Sequence, residues 1–167
     1  MKLYVAACSI SMIAFISFVE AQAPKREDVP KYLKALQSSQ NAKDRAVAAS
    51  MLGKRGAINV KDVEEAIEPL KKTLEKDVDA SVRKAAATAI GSIAPKPDET
   101  IPLLIESLKK DKSSDVKLAI VETLGRYGAD AKPALPAIRD YAKDFDKKSK
   151  EAQLVRTATM AISGKKK

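Results

Sequence analysis

The residues that most often carry out catalysis at neutral pH are nearly missing from this sequence. Its 167 residues include no His and a single Cys, Cys8. Histidine is the commonest general base and metal ligand near pH 7, and a catalytic or metal-binding thiolate needs a cysteine. The sequence also has no glycine-rich phosphate loop and no regular set of calcium ligands. We therefore predict a protein that is not an enzyme and that binds no metal or cofactor.

The acidic residues occur where helix starts and turns are predicted. Three glutamates cluster at the start of a predicted helix, where they complement its dipole: Glu64, Glu65 and Glu68. Four aspartates fall in predicted turns: Asp77, Asp79, Asp111 and Asp115. A short carboxylate in such a turn accepts hydrogen bonds from free backbone N–H groups. These positions indicate structural roles rather than general acid catalysis.

Four basic residues recur at a nearly constant spacing. Arg45, Arg83, Lys117 and Arg156 are separated by 38, 34 and 39 residues. A spacing in this range is typical of two-helix repeats that stack side by side. Stacking would therefore place the four side chains in one row, which could bind an anionic group.

The same spacing relates four longer segments, which end at Gly53, Gly91, Gly125 and Gly164. In the segment Val82–Gly91, apolar residues fall at positions i, i+3, i+4, i+7 and i+8. This spacing predicts an amphipathic helix. The residues twelve positions before the first three glycines are predicted helix N-caps: Asn41, Asp79 and Ser113. The glycines themselves are predicted to end the helices, because glycine adopts a positive φ without steric cost.

A second amphipathic segment precedes each of these helices. The four predicted first helices are Val29–Leu36, Val63–Leu74, Ile101–Leu108 and Leu135–Ala142. The prolines expected in first turns, where a missing N–H does no harm, are Pro30, Pro102 and Pro136. Pro69 is expected to kink its helix or to divide it after Glu68, and Asp62 to Glu65 resembles a capping box. The lysines expected to face water near the helix ends are Lys71, Lys72, Lys109, Lys110 and Lys143.

Four pairs of helices, at about 29–56, 62–94, 98–128 and 133–164, predict an all-α fold, an α-solenoid in which stacked pairs share a continuous core. The segments Val82–Gly91 and Leu124–Ile138 closely resemble bacterial HEAT repeats of the phycobilisome-lyase-like kind. The resemblance covers about residues 29–164. It implies an armadillo-like, right-handed superhelix with the second helix of each pair on the concave face.

The resemblance also directs attention to the polar side of the second helices as a binding surface. The candidate residues there are Lys54, Arg55, Arg83, Lys84, Thr88, Lys117, Glu122, Arg126 and Arg156. In HEAT repeats an arginine at the position of the basic row commonly bonds turn acids of an adjacent repeat, and Asp77 or Asp111 would serve. The row therefore either holds the repeats together or faces a ligand.

The composition bears on the partner. Lys and Arg number 31 against 22 Asp and Glu, giving a net charge of +9, which favours an acidic protein or peptide partner. A nucleic acid or another polyanion is the alternative, but after residue 21 the sequence has four aromatic residues, which argues against base stacking. The sequence leaves the oligomeric state open.

The first residues predict export. Met1-Lys2, the apolar run Leu3–Val19 and small residues after it are typical of a secretory signal peptide, cleaved after Ala21 or Ala23. The protein would then be periplasmic or extracellular. The alternatives are an uncleaved membrane anchor and a lipoprotein signal at Cys8. Residues 22–28 are expected to form a disordered lead-in, and residues 165–167 a basic tail.

Overall fold

A computed structural model describes residues 23–164 of the chain, and these residues form eight α-helices joined by turns. The helices are α1 (Val29–Ser38), α2 (Ala42–Ile58), α3 (Ile67–Lys76), α4 (Ala80–Ile93), α5 (Pro97–Lys110), α6 (Ser114–Arg126), α7 (Leu135–Tyr141) and α8 (Lys150–Ser163). Four 3-10 segments connect or precede them: Arg26–Asp28, Val60–Ala66, Gly128–Ala134 and Ala142–Asp144. The predicted signal peptide and the basic tail lie outside the described residues.

The helices form two layers, as the predicted all-α solenoid requires. The first helices α1, α3, α5 and α7 form one layer, and the second helices α2, α4, α6 and α8 form the other, each packing on the next second helix. Leucine and isoleucine side chains from both layers fill the core: Leu52, Leu70, Leu74, Ile90, Leu104, Leu108, Ile120, Leu124 and Ile138. Within residues 23–164, no helix combines the length and the apolar character needed to cross a bilayer.

The repeated glycines are positions of close helix packing, and the prediction that they end the helices is wrong. Gly53, Gly91 and Gly125 all lie inside second helices. A Cβ atom on Gly53 would lie 2.7 Å from the Cα atom of Ala89 in the next second helix, and one on Gly91 would lie 2.7 Å from Oγ1 of Thr123. The missing side chains therefore allow consecutive second helices to approach closely.

The last second helix, α8, is displaced by about one turn from the register that the glycine spacing predicts. Gly53 and Gly91 each face a residue two positions before the next glycine, whereas Gly125 faces Ala158, six positions before Gly164. Gly164 is consequently not the equivalent of the other three; its φ is 69° and it caps the C-terminus of α8. The connection before α8 is longer than the corresponding connection in the earlier repeats, and this permits the displacement. Ser149 caps the start of the displaced helix.

The starts of the first helices differ from the prediction at three points. Helix α5 begins at Pro97, so Pro102 lies inside the helix rather than in its first turn. The segment that contains Pro69 does divide, but before Ile67, and this places Pro69 in the first turn of α3. Asp62 makes no capping box with Glu65, because its carboxylate accepts hydrogen bonds from Asn59 and Arg55.

The predicted N-caps are confirmed for two helices. The side chain of Asn41 accepts a hydrogen bond from the N–H of Lys43, and that of Asp79 accepts one from the N–H of Ser81. Ser113 occupies the N-cap position of α6, but its hydroxyl makes no capping bond. The N–H of Ser113 instead donates to Asp111 at 2.8 Å. The turn before α6 is therefore fixed by the aspartate two residues earlier.

One lysine and the segment before α1 are held more firmly by contacts than the sequence predicts. Lys71 is buried rather than facing water, and its ammonium lies 2.7 Å from Glu68 and 3.3 Å from Glu99. In the segment expected to be a disordered lead-in, Pro24 is buried and Arg26 pairs with Asp62 at 3.5 Å. These contacts tie α3 to α5 and anchor the chain that leads into α1.

Replacing Gly53 with alanine tests the packing role of the glycines. In an exposed part of a helix, replacing glycine with alanine stabilises the helix. At Gly53, however, the new methyl group would meet the backbone of Ala89. We expect Gly53→Ala to lower the free energy of unfolding by about 1–3 kcal/mol, measured by urea unfolding. Ser50→Ala, an exposed change in the same helix, is the control. An increase in stability for Gly53→Ala would show that the helices do not pack as described.

Candidate functional site

Arg45 of the predicted basic row joins the first repeat to the second. Its Nε and Nη2 atoms donate to the two carboxylate oxygens of Asp77 at 2.7 and 2.9 Å. Its remaining nitrogen, Nη1, donates to the backbone carbonyls of Ser39 and Gln40 at 3.0 and 3.3 Å. One guanidinium therefore fixes the turn of its own repeat and the turn of the next one. Its fork geometry suits this bidentate pairing, which a lysine could not reproduce.

Arg83 repeats the same set of bonds one repeat further along. Its Nε and Nη2 atoms donate to Asp111 at 2.7 and 2.9 Å, and Nη1 donates to the carbonyls of Asp77 and Val78 at 2.9 and 3.2 Å. The side chains of Arg83 and Asp111 are 15% and 6% exposed. We call Arg45, Asp77, Arg83 and Asp111 the arginine ladder. Of the two roles that the sequence leaves open for the basic row, the structural one holds for both arginines.

The carboxylates of the ladder are stabilised in their charged form. Hydrogen bonds from Arg45 lower the pKa of Asp77 from its ordinary value of 3.8. Burial raises the pKa of Asp111, but bonds from Arg83 and from the N–H of Ser113 lower it, and the net direction is downward. Since both pKa values are lower in the folded state, the stabilisation is complete above the unfolded pKa. It is lost as the pH falls through the folded pKa.

The ladder does not continue to the third position of the row. Lys117 lies there, and its ammonium is 5.5 Å from the centre of the Tyr141 ring instead of next to an acid. The ring of Tyr141 packs edge-on against Phe145 at 4.9 Å, and its hydroxyl donates to the carbonyl of Ser114. A cation–π contact therefore takes the place of the ion pair. The sequence analysis missed this aromatic pair, which is visible as two rings four residues apart.

Arg156 does not extend the ladder either, so the predicted single row of four is wrong at this residue. It is exposed, and its guanidinium donates to the carbonyl of Lys147 at 3.3 Å. Two features account for this. The displacement of α8 places Arg156 about one turn further along its helix than Arg83 and Lys117, and within residues 23–164 no repeat follows α8 to supply an aspartate.

Arg55, another predicted binding residue, is also held within the molecule. Its guanidinium is in contact with Asp62, and its Nε atom donates to that carboxylate at 2.7 Å. The side chain of Asp62 is almost completely buried. Arg55 therefore ties the end of α2 to the 3-10 segment Val60–Ala66 and is not available to a partner in this arrangement.

The remaining candidates lie exposed on the second helices and form a surface that we call the second-helix face: Lys54, Lys84, Thr88, Glu122 and Arg126. Lys84 makes a long ion pair with Asp115, at 3.4 Å, and both side chains are largely exposed. Within residues 23–164, Lys54, Glu122 and Arg126 enter no ion pair. Charges of both signs thus meet solvent on this face.

A groove on the opposite layer is a feature that the sequence analysis missed. It lies between α5 and the 3-10 segment Gly128–Ala134 and has a volume of about 630 Å³. Its apolar walls include Ile101, Pro102, Ile105 and Pro133, and its rim carries Asp98 and Asp130. The groove depends on how the 3-10 segment lies beside α5, which the helical periodicity alone does not reveal.

The structure offers no arrangement with evident catalytic chemistry among the residues it describes. Within residues 23–164, no three side chains of His, Cys, Asp or Glu lie close enough to hold a metal ion. Three of the four predicted turn acids act as predicted, since Asp79 caps α4 and the ladder aspartates bond to arginines and backbone N–H groups. Asp115 does not: it lies in the first turn of α6 and pairs with Lys84. The second-helix face and the groove beside α5 are surfaces suited to binding a partner.

Comparison with known proteins agrees with the repeat architecture. The HEAT repeats family matches residues 29–125 and, in an overlapping second placement, residues 67–162. These matches span most of the chain, and the chain belongs to the HEAT-repeat family. No curated protein matches the sequence. HEAT repeats generally serve as scaffolds for protein interaction and are typically not catalytic.

A double-mutant cycle tests the ladder. Arg83→Met leaves Asp111 without its partner, and we expect a loss of about 2 kcal/mol in the free energy of unfolding, between the values for exposed and buried ion pairs. Asp111→Asn in the Arg83→Met background should cost much less than it does alone, as urea unfolding at pH 7 would show. Lys112→Met, at an exposed residue of the same turn, is the control. Additive losses would mean that the two residues do not interact.

Proposed function

We propose that this protein is an exported, non-enzymatic HEAT-repeat scaffold that binds another protein or peptide through its second-helix face. The observation that carries the proposal is the division of the charged residues into two sets. Arg45, Arg83 and Arg55 are engaged by Asp77, Asp111 and Asp62. On the second-helix face, in contrast, charged side chains stay exposed. Apart from the exposed pair of Lys84 and Asp115, these charges make no ion pair within residues 23–164 and are available to a partner.

The composition of the second-helix face favours a protein partner. It carries Lys54, Lys84 and Arg126 together with Glu122, and Asp115 lies next to Lys84. A surface with both signs of charge can match a specific arrangement of charges on another protein, which gives specificity. The excess of basic residues on this face favours a partner that is acidic at the contact.

The alternative is a polyanion or nucleic-acid binder that uses the same basic residues. Two observations weigh against it. Two of the four basic residues that would have formed the row, Arg45 and Arg83, are paired with aspartates in the arginine ladder. In addition, Tyr127 is buried and Tyr141 packs against Phe145, so neither ring offers an open platform for base stacking. An enzyme or an accessory of an enzyme is a third candidate, with no site to support it in the described residues.

The export part of the proposal is supported by the composition of residues 1–21. Mass spectrometry of the protein recovered from the envelope or the medium should show a chain that begins at Gln22 or, with the other cleavage point, at Pro24. The matched control is a variant with Leu3→Arg and Ile13→Arg, which should stay inside the cell uncleaved because its apolar run is interrupted. A wild-type chain that keeps Met1 and stays in the cytoplasm would contradict export.

The binding part is tested by charge reversal. We expect the double variant Lys84→Glu, Arg126→Glu to bind the partner captured from the envelope fraction with an affinity lower by at least about tenfold. Calorimetry on the purified pair measures this affinity. Lys34→Glu, an exposed change on α1, should leave the affinity unchanged. A polyanion binder would instead lose affinity steeply between about 50 and 200 mM salt. Unchanged affinity in the double variant would exclude the second-helix face as the contact.

A further inference from the structure

The free flank of α2 carries two exposed apolar residues, Val47 and Ile58, and the half-buried Met51 between them, together with two charged residues. Asp44, Val47, Met51, Lys54 and Ile58 follow one another at alternating spacings of three and four residues. This spacing places them on one side of the helix and is the pattern by which two helices pack along a seam. Val47 is 44% exposed and Ile58 is 39% exposed, which is high for large apolar side chains. We call these five residues the α2 seam.

In the other repeats the corresponding flank is covered by the preceding second helix. Met51 stands two residues before Gly53, and Ala89 stands two residues before Gly91. Ala89 packs against Gly53 of the preceding second helix. Within residues 23–164 no second helix precedes α2, so the equivalent surface of the first repeat stays open. This surface also carries Val47 and Met51, which are larger than the alanines and threonine of the inner contacts.

An end repeat of a solenoid normally presents a polar outer face, which keeps it soluble. The α8 end follows this rule in its exposed residues, which are polar apart from Ala161: Lys150, Gln153, Arg156, Thr157, Ala161 and Ser163. Its half-buried residues include Leu154 and Met160. The α2 end does not follow it. Head-to-tail stacking would set the polar α8 surface on Val47 and Met51 and would leave them poorly covered. The two ends therefore do not match each other, and the α2 end needs a different occupant.

We propose that the α2 seam binds the α2 seam of a second copy of this chain, with the two helices antiparallel. In a two-fold interface, a contact from one residue to another is repeated in reverse. Antiparallel pairing that sets Val47 against Met51 of the second copy also sets Asp44 against Lys54, and each contact occurs twice. Two ion pairs then flank an apolar centre. Parallel pairing would set Asp44 against Asp44 and Lys54 against Lys54, which like-charge repulsion disfavours.

One helix from each copy makes a small interface, so the dimer is expected to dissociate on dilution. Dimerisation would leave Lys84, Thr88, Glu122 and Arg126 on other helices uncovered by the seam. It would present two copies of the second-helix face except for Lys54, which belongs to the α2 seam. The inference does not rest on the proposed function, because the α2 seam is defined by packing alone.

Charge swaps in the purified full chain test both the partner and the register. Sedimentation velocity over a range of concentrations should show a reversible dimer. Asp44→Lys alone and Lys54→Asp alone should each weaken it by about tenfold or more, because each creates two like-charge contacts. The double variant should dimerise like the wild type. An equimolar mixture of the two single variants should form heterodimers, since each chain then supplies the charges that the other lacks.

Two controls separate a broken interface from a damaged fold. Met51→Glu should abolish the dimer, whereas Val78→Glu, at a residue that is 92% exposed on another surface, should leave it intact. Circular dichroism should show the same helix content for all variants. A chain that is monomeric at every concentration, assemblies that grow beyond two copies, or single swaps without effect would each overturn the proposal. If neither the double variant nor the mixture recovered dimerisation, the antiparallel register would be overturned.

Discussion

The close approach of consecutive second helices is the constraint on which the rest of this structure depends. Gly53, Gly91 and Gly125 remove the side chains that would hold these helices apart, and Ala89, Thr123 and Ala158 fill the space opposite them. Such contacts fix the distance between neighbouring repeats, because a protein interior cannot absorb an added methyl without a shift. The arginine ladder requires that distance, since a guanidinium reaches the next turn only if the next turn is near.

The packing of the repeats also determines which charges are available for function. A net charge of +9 suggests a strongly basic surface, but the arginines with the most regular spacing are neutralised inside the molecule. The exposed charges that remain on the second helices are mixed in sign. An interpretation based on net charge alone would therefore have overstated the attraction for polyanions. The local arrangement points to recognition of a protein surface.

Much of the architecture could be predicted from the sequence, because it follows from local patterns. The repeat period, the amphipathic helices, the caps at Asn41 and Asp79 and the pairing of basic-row residues with Asp77 and Asp111 all have signatures of residue type and spacing. The role of the glycines could not be predicted in this way. A glycine near the end of a helical pattern suits a C-cap and a close contact equally well, and only the neighbouring helix distinguishes them.

The displacement of α8 could not be predicted from the sequence pattern either. Arg156 and Gly164 match the earlier repeats by sequence, but a longer connection can be absorbed in the loop or in the helix, and the sequence does not say which. The contact between Lys117 and Tyr141 and the groove beside α5 were missed because they arise between segments that are distant in sequence. Tertiary contacts of this kind leave no periodic trace.

The arginine ladder has a direction, and this bears on how such a chain can change its length. Each rung runs from the arginine of one unit to the aspartate of the unit that follows. A duplicated copy of the unit from Asp77 to Lys110 would bring an acid for the arginine before it and an arginine for the acid after it. Internal gene duplication could therefore lengthen the array without any compensating substitution at the new junctions. The copy would also carry Gly91 and Ala89, so the helix contacts would be inherited together with the ion pairs.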